Sequence, residues 1–231
     1  MLGFFGHVLN EVAMRVTSDV EAGQAVYTKQ YLSVYDVLVL GLTCRFAWKC
    51  PSKRILDLYN RHVTGNHLDV GVGTGYFLNR CKFPSASPRV ALMDLNANAL
   101  EFTARRIGRY RPEMYRRNVL EPIVIDAGKF DSVGISCLLH CLPGSIGSKA
   151  VALDYLKALM NSDGVLFGTT ILQDGIQQSW IARRMAGALN AQGIFSNRHD
   201  YLDGLKSVLT ERFRDVSIDI AGCAALFSGR V

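Results

Sequence analysis

Between Val63 and Leu172 the hydrophobic period of the chain switches repeatedly, and that alternation limits the folds open to it. Short β-like runs fall at NHLDV (66–70), RVALMD (89–94), EMYRRNV (113–119), KFDSVGIS (129–136) and GVLFGTTIL (164–172). Helical stretches lie between them: GYFLNRC, then NANALEFTARRIG with Leu100, Thr103, Ala104 and Ile107 at helical spacing, then KAVALDYLKALM with Gly164 as its stop. Strand–helix alternation of this kind implies a parallel sheet with helices on both faces. The connection LEPIVIDAG is too short and proline-broken for a full helix, so that crossover is read as a loop or single turn.

The two ends differ from the middle. DYLDGLKSVLTERF reads as a helix, and DVSIDIAGCAALFSGRV gives two β runs around Ala221–Gly222, close enough for a hairpin. Upstream, Tyr27, Tyr31, Tyr35, Leu38 and Leu42 fall near one helical face, and Pro51 suits the first position of the helix SKRILDLYNRH. The expectation is one domain over 1–231: a helical cap over 1–62 and an α/β core over 63–231. The sheet is seven-stranded and Rossmann-like, mostly parallel, ending in an antiparallel C-terminal pair.

Composition removes several classes. With 49% hydrophobic and 20% charged residues among 231, the chain can bury a substantial core. No apolar run reaches the roughly 20 residues needed to span a bilayer. MLGFFGHVLNEVAMRV lacks the basic start of a secretory signal and reads as an amphipathic helix, with Phe4, Phe5, Val8 and Val12 on one side. That helix packs on the domain, touches a membrane surface, or joins two copies as a homodimer. Cys44, Cys50, Cys81, Cys137, Cys141 and Cys223 form no CxxC pair, which argues against structural zinc and for free thiols in a reducing, cytoplasmic compartment. The net charge of +6 gathers partly in RRIGRYRPEMYRR (105–117). No RNA-binding motif surrounds it, so a solvated helix face and edge strand is favoured over a nucleic-acid footprint.

The stretch HLDVGVGTG (67–75) carries the chemistry. In open α/β sheets ligands bind beyond the carboxyl ends of the strands, and glycines in the first turn let the backbone approach them. A dinucleotide fold uses G-x-G-x-x-G. Here Gly71, Gly73 and Gly75 make G-x-G-x-G, and Asp69 stands two residues before the first. A carboxylate there repels a pyrophosphate and favours an ammonium group. The second β run ends at Asp94, where an acidic side chain can accept both hydroxyls of a ribose. An unphosphorylated ribose plus an ammonium group describes S-adenosylmethionine better than a nicotinamide cofactor.

HLDVGVGTGYFL, ALMDLNANAL, RRNVLEP and KFDSVGISCLLHCLPG together resemble the class I S-adenosylmethionine-dependent methyltransferases, well over 63–172 and loosely elsewhere. The resemblance implies that Asp69 orients the methionine amine, that Gly71 and Gly73 line the methionine portion with Gly75 completing the turn, and that Asp94 holds the ribose. It implies Leu95 against the adenine and Asn118 and Val119 at the adenine edge, with Asn118 in the place of a more usual acidic residue. Cys137 and Leu138 would flank the transferring methyl. The tyrosine face is either core or a lid, in which case Tyr27 and Tyr31 touch the cofactor. The product would be S-adenosylhomocysteine, and no metal is expected.

Methyl transfer needs orientation and, for a protonated nucleophile, a base. His140, beyond the fourth β run, is the first candidate, and His199 the second; either can equally be structural. No [DN]-P-P-[FYW] stretch follows the fourth run, and no proline precedes Cys137, which argues against the adenine, glutamine and cytosine acceptors of such enzymes. Trp180, Met185 and Phe195, in QDGIQQSWIARRMAGALNAQGIF, are candidate walls for a small, partly apolar acceptor, although helix packing explains them equally well. The favoured reading is a small-molecule methyltransferase of specialised metabolism with an oxygen, nitrogen or carbon acceptor. The alternatives are a protein of this fold without methyl transfer, either a cyclase or a cofactor-binding partner subunit, and an RNA methyltransferase using the 105–117 face.

Overall fold

The computed structural model of the protein describes residues 44–231. The N-terminal amphipathic helix and the tyrosine face, Tyr27 and Tyr31 included, lie outside the described residues. Thirteen elements follow in order: α1 (Ser52–His62), β1 (Asn66–Val70), α2 (Tyr76–Arg80), β2 (Arg89–Asp94), α3 (Ala97–Arg106), β3 (Glu113–Arg116), β4 (Phe130–Ser136), α4 (Ile146–Ala158), β5 (Met160–Ile171), α5 (Trp180–Ala191), α6 (Leu202–Thr210), β6 (Arg214–Ala221) and β7 (Ala224–Arg230).

The strands form one sheet in the order β3-β2-β1-β4-β5-β7-β6. β1 to β5 run parallel; β7 pairs antiparallel with β5, and β6 with β7. Strand order reverses between β1 and β4, so the crevice beyond their carboxyl ends is the place for a ligand. β1, β2, β4 and β5 are buried on both faces because helices cover both sides. α1, α3 and α5 press Ile55, Leu58, Leu100 and Ala182 into one core, while α4 and α6 press Leu153, Leu156, Leu205 and Leu209 into the other. No helix among the described residues is long and apolar enough to cross a membrane.

Four boundaries depart from expectation for local reasons. Gly164 does not stop a helix: α4 ends at Ala158, and the amide of Phe130 at the start of β4 donates to the Leu159 carbonyl at 2.9 Å. Gly164 lies inside β5, which begins at Met160. β3 ends at Arg116 and not at Val119, because the Asn118 side chain accepts the Leu120 amide at 3.1 Å and turns the chain. Pro51 is the residue before α1, with ψ 137°, and caps the helix without joining it. The helix of DYLDGLKSVLTERF starts at Leu202, while Asp200 before it is drawn into a buried ion pair. The loop from Arg117 to Lys129 contains no helix, as its proline requires.

Candidate active site

The glycine turn is held from behind. Gly71 sits where a Cβ would come within 2.9 Å of Leu138, and Gly75 where one would come within 2.6 Å of Thr103 on α3. Gly73, with φ +51°, has nothing within 4 Å on its Cβ side. Gly71 and Gly75 thus allow close packing, while Gly73 leaves its backbone bare toward open space. Thr103 Oγ1 donates to the Gly73 carbonyl at 3.1 Å and Arg106 to the Thr74 carbonyl at 3.0 Å, so the turn is anchored to α3.

Two clefts meet at this turn. One is lined by Asp94, Leu95, Val119 and Leu142, the other by Asp69, Thr74, Tyr59 and Ser136, and Gly71, Gly73 and Cys137 line both. Together they make a bent groove with a carboxylate in each arm. In the first arm Asp94 accepts the Asn96 amide at 2.8 Å. Burial pushes the Asp94 pKa up to about 6 against the pull of neighbouring backbone amides, so at neutral pH it is an ionised acceptor in a poorly hydrated position. Leu95, Met93 and Val119 give this arm apolar walls. Asn118, expected at the adenine edge, is instead engaged in its own turn. Its oxygen takes the Leu120 amide, its nitrogen donates to Glu121 at 2.8 Å, and Arg117 and Val119 line the groove in its place.

In the second arm Asp69 is 4% exposed and accepts the Tyr59 hydroxyl at 2.8 Å. Burial, with the Asp69 charge beside it, holds the Tyr59 phenol well above its ordinary pKa, so it stays a donor. His67 stands two residues before Asp69 on the same face of β1, with Nε2 3.5 Å from the carboxylate and Nδ1 2.8 Å from Ser132 Oγ. Opposite Asp69 in β4 is Gly134, where a Cβ would fall 2.7 Å from the carboxylate oxygen. Ser136 Oγ, which lines this arm, is buried and has no hydrogen-bond partner among the described residues. Buried hydroxyls without partners are rare, and one beside a carboxylate suits a ligand that brings an ammonium group. The open face of Gly73, the orphaned Ser136 hydroxyl and the two carboxylates fit S-adenosylmethionine. Tyr59, His67 and Ser136 escaped sequence reasoning. The alternation His67–Asp69 was a usable signal, whereas the approach of Tyr59 depends on how α1 packs.

Beyond β4, Cys137 takes φ +61°, which turns the chain across the groove, and Leu138 packs on Gly71. His140 follows, 4% exposed. Its Nδ1 accepts the Ile171 amide at 3.2 Å with Thr170 Oγ1 at 3.4 Å. Burial and the Lys149 charge lower its pKa to about 3. The His140 ring meets Phe195 edge-on at 4.5 Å, and Phe195 stacks on Trp48 at 5.8 Å. Met185 packs partly buried against this apolar cluster. Trp180 is 69% exposed at the start of α5 and faces outward, whereas Phe195 lies against His140. His199 is exposed.

The loop carrying Phe195 is pinned by a buried polar network. Lys149 on α4 donates to Asp200 at 2.6 Å and to the Ser196 carbonyl at 2.7 Å, with both charged side chains fully buried. The Ser196 amide donates to the His140 carbonyl at 2.8 Å. Asn197, also fully buried, donates to the Ile171 carbonyl and accepts from Asn190 on α5. Several arginines of 105–117 are likewise engaged in structure. Arg109 bonds Asn79, Arg116 the Leu95 carbonyl, and Arg117 the Val124 carbonyl.

Residues 68–166 match the family model described as a methyltransferase domain. The chain is 40% identical over 205 residues to the demethylluteothin O-methyltransferase of Streptomyces thioluteus, covering 89% of each. It is 35% identical over 209 residues to the physcion biosynthesis cluster O-methyltransferase of Aspergillus chevalieri, covering 90% of this chain and 94% of that one. The fold matches the DhpI–SAH complex with a TM-score of 0.64 at 15% identity, over 92% of this chain and 96% of that one. Identity of 40% over 89% of the chain carries more than a shared fold, and the chain belongs to the class I S-adenosylmethionine-dependent methyltransferases.

Proposed function

We propose that this methyltransferase acts on the hydroxyl of a small, partly apolar molecule of specialised metabolism, in a reducing, cytoplasmic setting that suits its six free cysteines. Support for oxygen as the acceptor comes from the relatives, two of which are named O-methyltransferases. The observation that carries the cofactor assignment is the bent groove, with Asp94 in one arm, Asp69 and the orphaned Ser136 hydroxyl in the other, and bare Gly73 at the bend.

In this reading Asp94 accepts the ribose hydroxyls, and Leu95 and Val119 sandwich the adenine. Asp69, steadied by Tyr59, holds the ammonium group together with Ser136. Cys137 and Leu138 border the reacting methyl, and Phe195 with Trp48 forms the apolar wall for the acceptor. S-adenosylmethionine supplies a methyl already activated on a sulfonium, so the chain's own task is to align acceptor and methyl and to keep water away. The chemistry calls for no metal. Burial of Cys137 raises its thiol pKa, which keeps it a neutral neighbour of the methyl and not a competing nucleophile.

Calorimetric titration with S-adenosylmethionine and S-adenosylhomocysteine tests the assignment on wild type and Asp94→Ala. Binding that weakens at least tenfold in the variant, about 1.4 kcal/mol, supports it. Folded wild type that binds neither compound would sink it. An acceptor screen of phenols and enols against amines, read by methylated product, then tests the choice of oxygen.

A further inference from the structure

A chain of hydrogen-bonding groups leads from the cofactor groove through the sheet to its opposite end. Asp69 lines the second arm of the groove, and its Oδ1 accepts the Tyr59 hydroxyl at 2.8 Å. His67, fully buried on the same face of β1, holds Nε2 3.5 Å from that same oxygen. Its Nδ1 lies 2.8 Å from Ser132 Oγ, directly opposite in β4, and Ser132 Oγ lies 2.9 Å from Thr64 Oγ1. Thr64 is half-buried and lines a cleft at the amino end of the sheet with Arg61, Asp131 and Arg230. Two proton arrangements fit this chain, and they differ by one proton. In the first, Thr64 Oγ1 donates to the Asn66 carbonyl at 3.0 Å, Ser132 Oγ to Thr64, and His67 Nδ1 to Ser132. Nε2 then faces a carboxylate and carries a proton too, so the ring is an imidazolium. In the second, Thr64 donates to Ser132 and Ser132 to Nδ1, and the neutral ring keeps its one proton on Nε2. Only the first makes every contact, since the second gives up the bond to Asn66. The reach to Asp69 also favours it. Enclosed Nε2 makes no hydrogen bond among the described residues, whereas attraction between charges 3.5 Å apart fades only as the inverse of distance.

We propose that an ammonium group settling on Asp69 displaces a proton from His67, which leaves through Ser132 and Thr64 to the amino-end cleft. This rests on the reading of Asp69 as the holder of the cofactor's ammonium group. With no ammonium present, His67 is the cation that lets a buried carboxylate stay ionised. Imidazolium and ammonium are like charges on one carboxylate, so the second drives out the first. Of the groups packed on His67 among the described residues, only Asp69 is charged. α1 brings Tyr59, whose phenol burial keeps neutral, and His62, which also stacks on Phe167 of β5 and whose pKa burial lowers to about 4. β4 brings Ser132 and Gly134, and the loop after α2 brings Phe83 and Cys81, a thiol pushed up to about 12 by burial. In the exchange the Thr64 hydroxyl swings from Asn66 to solvent in the cleft. Its proton passes to water, the Ser132 proton to Thr64, and the Nδ1 proton to Ser132. Each oxygen loses one proton and gains one, the electron pair of the Nδ1–H bond stays on nitrogen, and the first arrangement has become the second. One proton reaches water for each ammonium bound, and the charge of the site is unchanged. His67 is a positioning residue, because it acts on the ligand only through Asp69.

Calorimetric titration of the full chain with S-adenosylhomocysteine, in buffers of different ionisation enthalpy at about pH 7, counts the protons released. Asp94, with its pKa of about 6, and the ligand's own amine contribute alike in wild type and variants, so the differences belong to the chain from His67 to Thr64. Wild type is expected to release more protons per ligand than His67→Gln. Thr64→Val leaves His67 and Asp69 in place but takes away the acceptor that the first arrangement needs, and is expected to release fewer than wild type. Long-range proton–nitrogen spectra of histidine-labelled wild type identify His67 by its through-space contacts to Phe83 and Phe167. They are expected to show both of its nitrogens protonated without S-adenosylhomocysteine and only Nε2 protonated with it. Equal proton release in wild type and either variant overturns the proposal. So does a His67 whose protonation is the same in both spectra, or one that keeps its proton on Nδ1 in the complex. Folded wild type that binds no S-adenosylhomocysteine would instead overturn the reading of Asp69 beneath it. The wild-type spectra decide the exchange even where a variant fails to fold.

Discussion

Acidification from neutral pH to about pH 5 titrates Asp94 and should act on cofactor and fold in opposite directions. The Asp94 pKa is raised to about 6, mainly by burial. In the role proposed for it, only the ionised carboxylate would accept both ribose hydroxyls, and about a tenth of it remains at pH 5. Affinity for S-adenosylmethionine should therefore drop about tenfold, or about 1.4 kcal/mol. The fold responds with the other sign. A carboxyl whose folded pKa lies above its model value of 3.8 is disfavoured when charged, so the group destabilises the ligand-free protein above about pH 6. That penalty fades as the pH falls toward the unfolded value. The full shift corresponds to about 3 kcal/mol, and the open groove on one side reduces it to about 1 to 2 kcal/mol. Denaturant unfolding at several pH values, with and without S-adenosylhomocysteine, should show this group's contribution to ligand-free stability rising while the ligand-induced increment shrinks. Calorimetry should show this group's share of the affinity loss in wild type and its absence in Asp94→Asn. An affinity that stays flat down to pH 5, or that falls equally in Asp94→Asn, would refute the reasoning.

Three further outcomes follow from the groove and its supports. Tyr59→Phe removes the donor from buried Asp69 and should lower stability by about 1 to 2 kcal/mol, with a several-fold loss of cofactor affinity seen by calorimetry. Gly73→Ala and Gly75→Ala should differ in what they cost: the first, with open space before it, should cost the fold only the strain of its positive φ, about 1 kcal/mol, and mainly weaken cofactor binding, while the second, also at positive φ and driven against Thr103, should cost the fold about 2 to 4 kcal/mol by thermal unfolding. Lys149→Met leaves the Asp200 carboxylate buried without its cation and should cost about 3 to 5 kcal/mol, whereas adding Asp200→Leu should restore most of it; equal losses in the single and double variants would show the pair is not coupled.

The elements that were legible in the chain are those whose local chemistry and burial agree. β1 and β2 run from Asn66 to Val70 and from Arg89 to Asp94, residue for residue as the apolar runs imply, because both strands are covered on two faces and end at a turn former. Asn96 caps α3 through its own side chain, which an Asn before an apolar periodic stretch announces. The start of β5 was less visible, since Asn161–Asp163 is polar and only Met160 there pairs with β4, opposite Phe130, before the register shifts. Asp69, Gly71, Gly73, Asp94 and Leu95 could be picked out because the first two strands and their turns are contiguous in sequence. Tyr59 and Ser136, which complete the same groove, come from α1 and β4, and only tertiary packing brings them to Asp69. The Lys149–Asp200 pair has no local signal at all. Asn118 misled because its place beyond β3 invites an adenine contact, while its short amide side chain closes a turn more readily.

The loop between α5 and α6 has its two jobs on different residues. Asn197 and Asp200 are sealed inside and tie it to β5, α5 and α4, whereas Phe195 is the residue proposed above as acceptor wall. A loop moored by its own interior does not need any particular side chain on its inner surface in order to hold its course. Residue 195 can therefore be exchanged for larger, smaller or more polar groups with the backbone path kept, and the acceptor spectrum can drift while the cofactor groove stays as it is. A saturation library at 195 with 197 and 200 untouched should hold far more folded proteins than one at 197, and this divides the loop into a part open to new substrates and a part that is not.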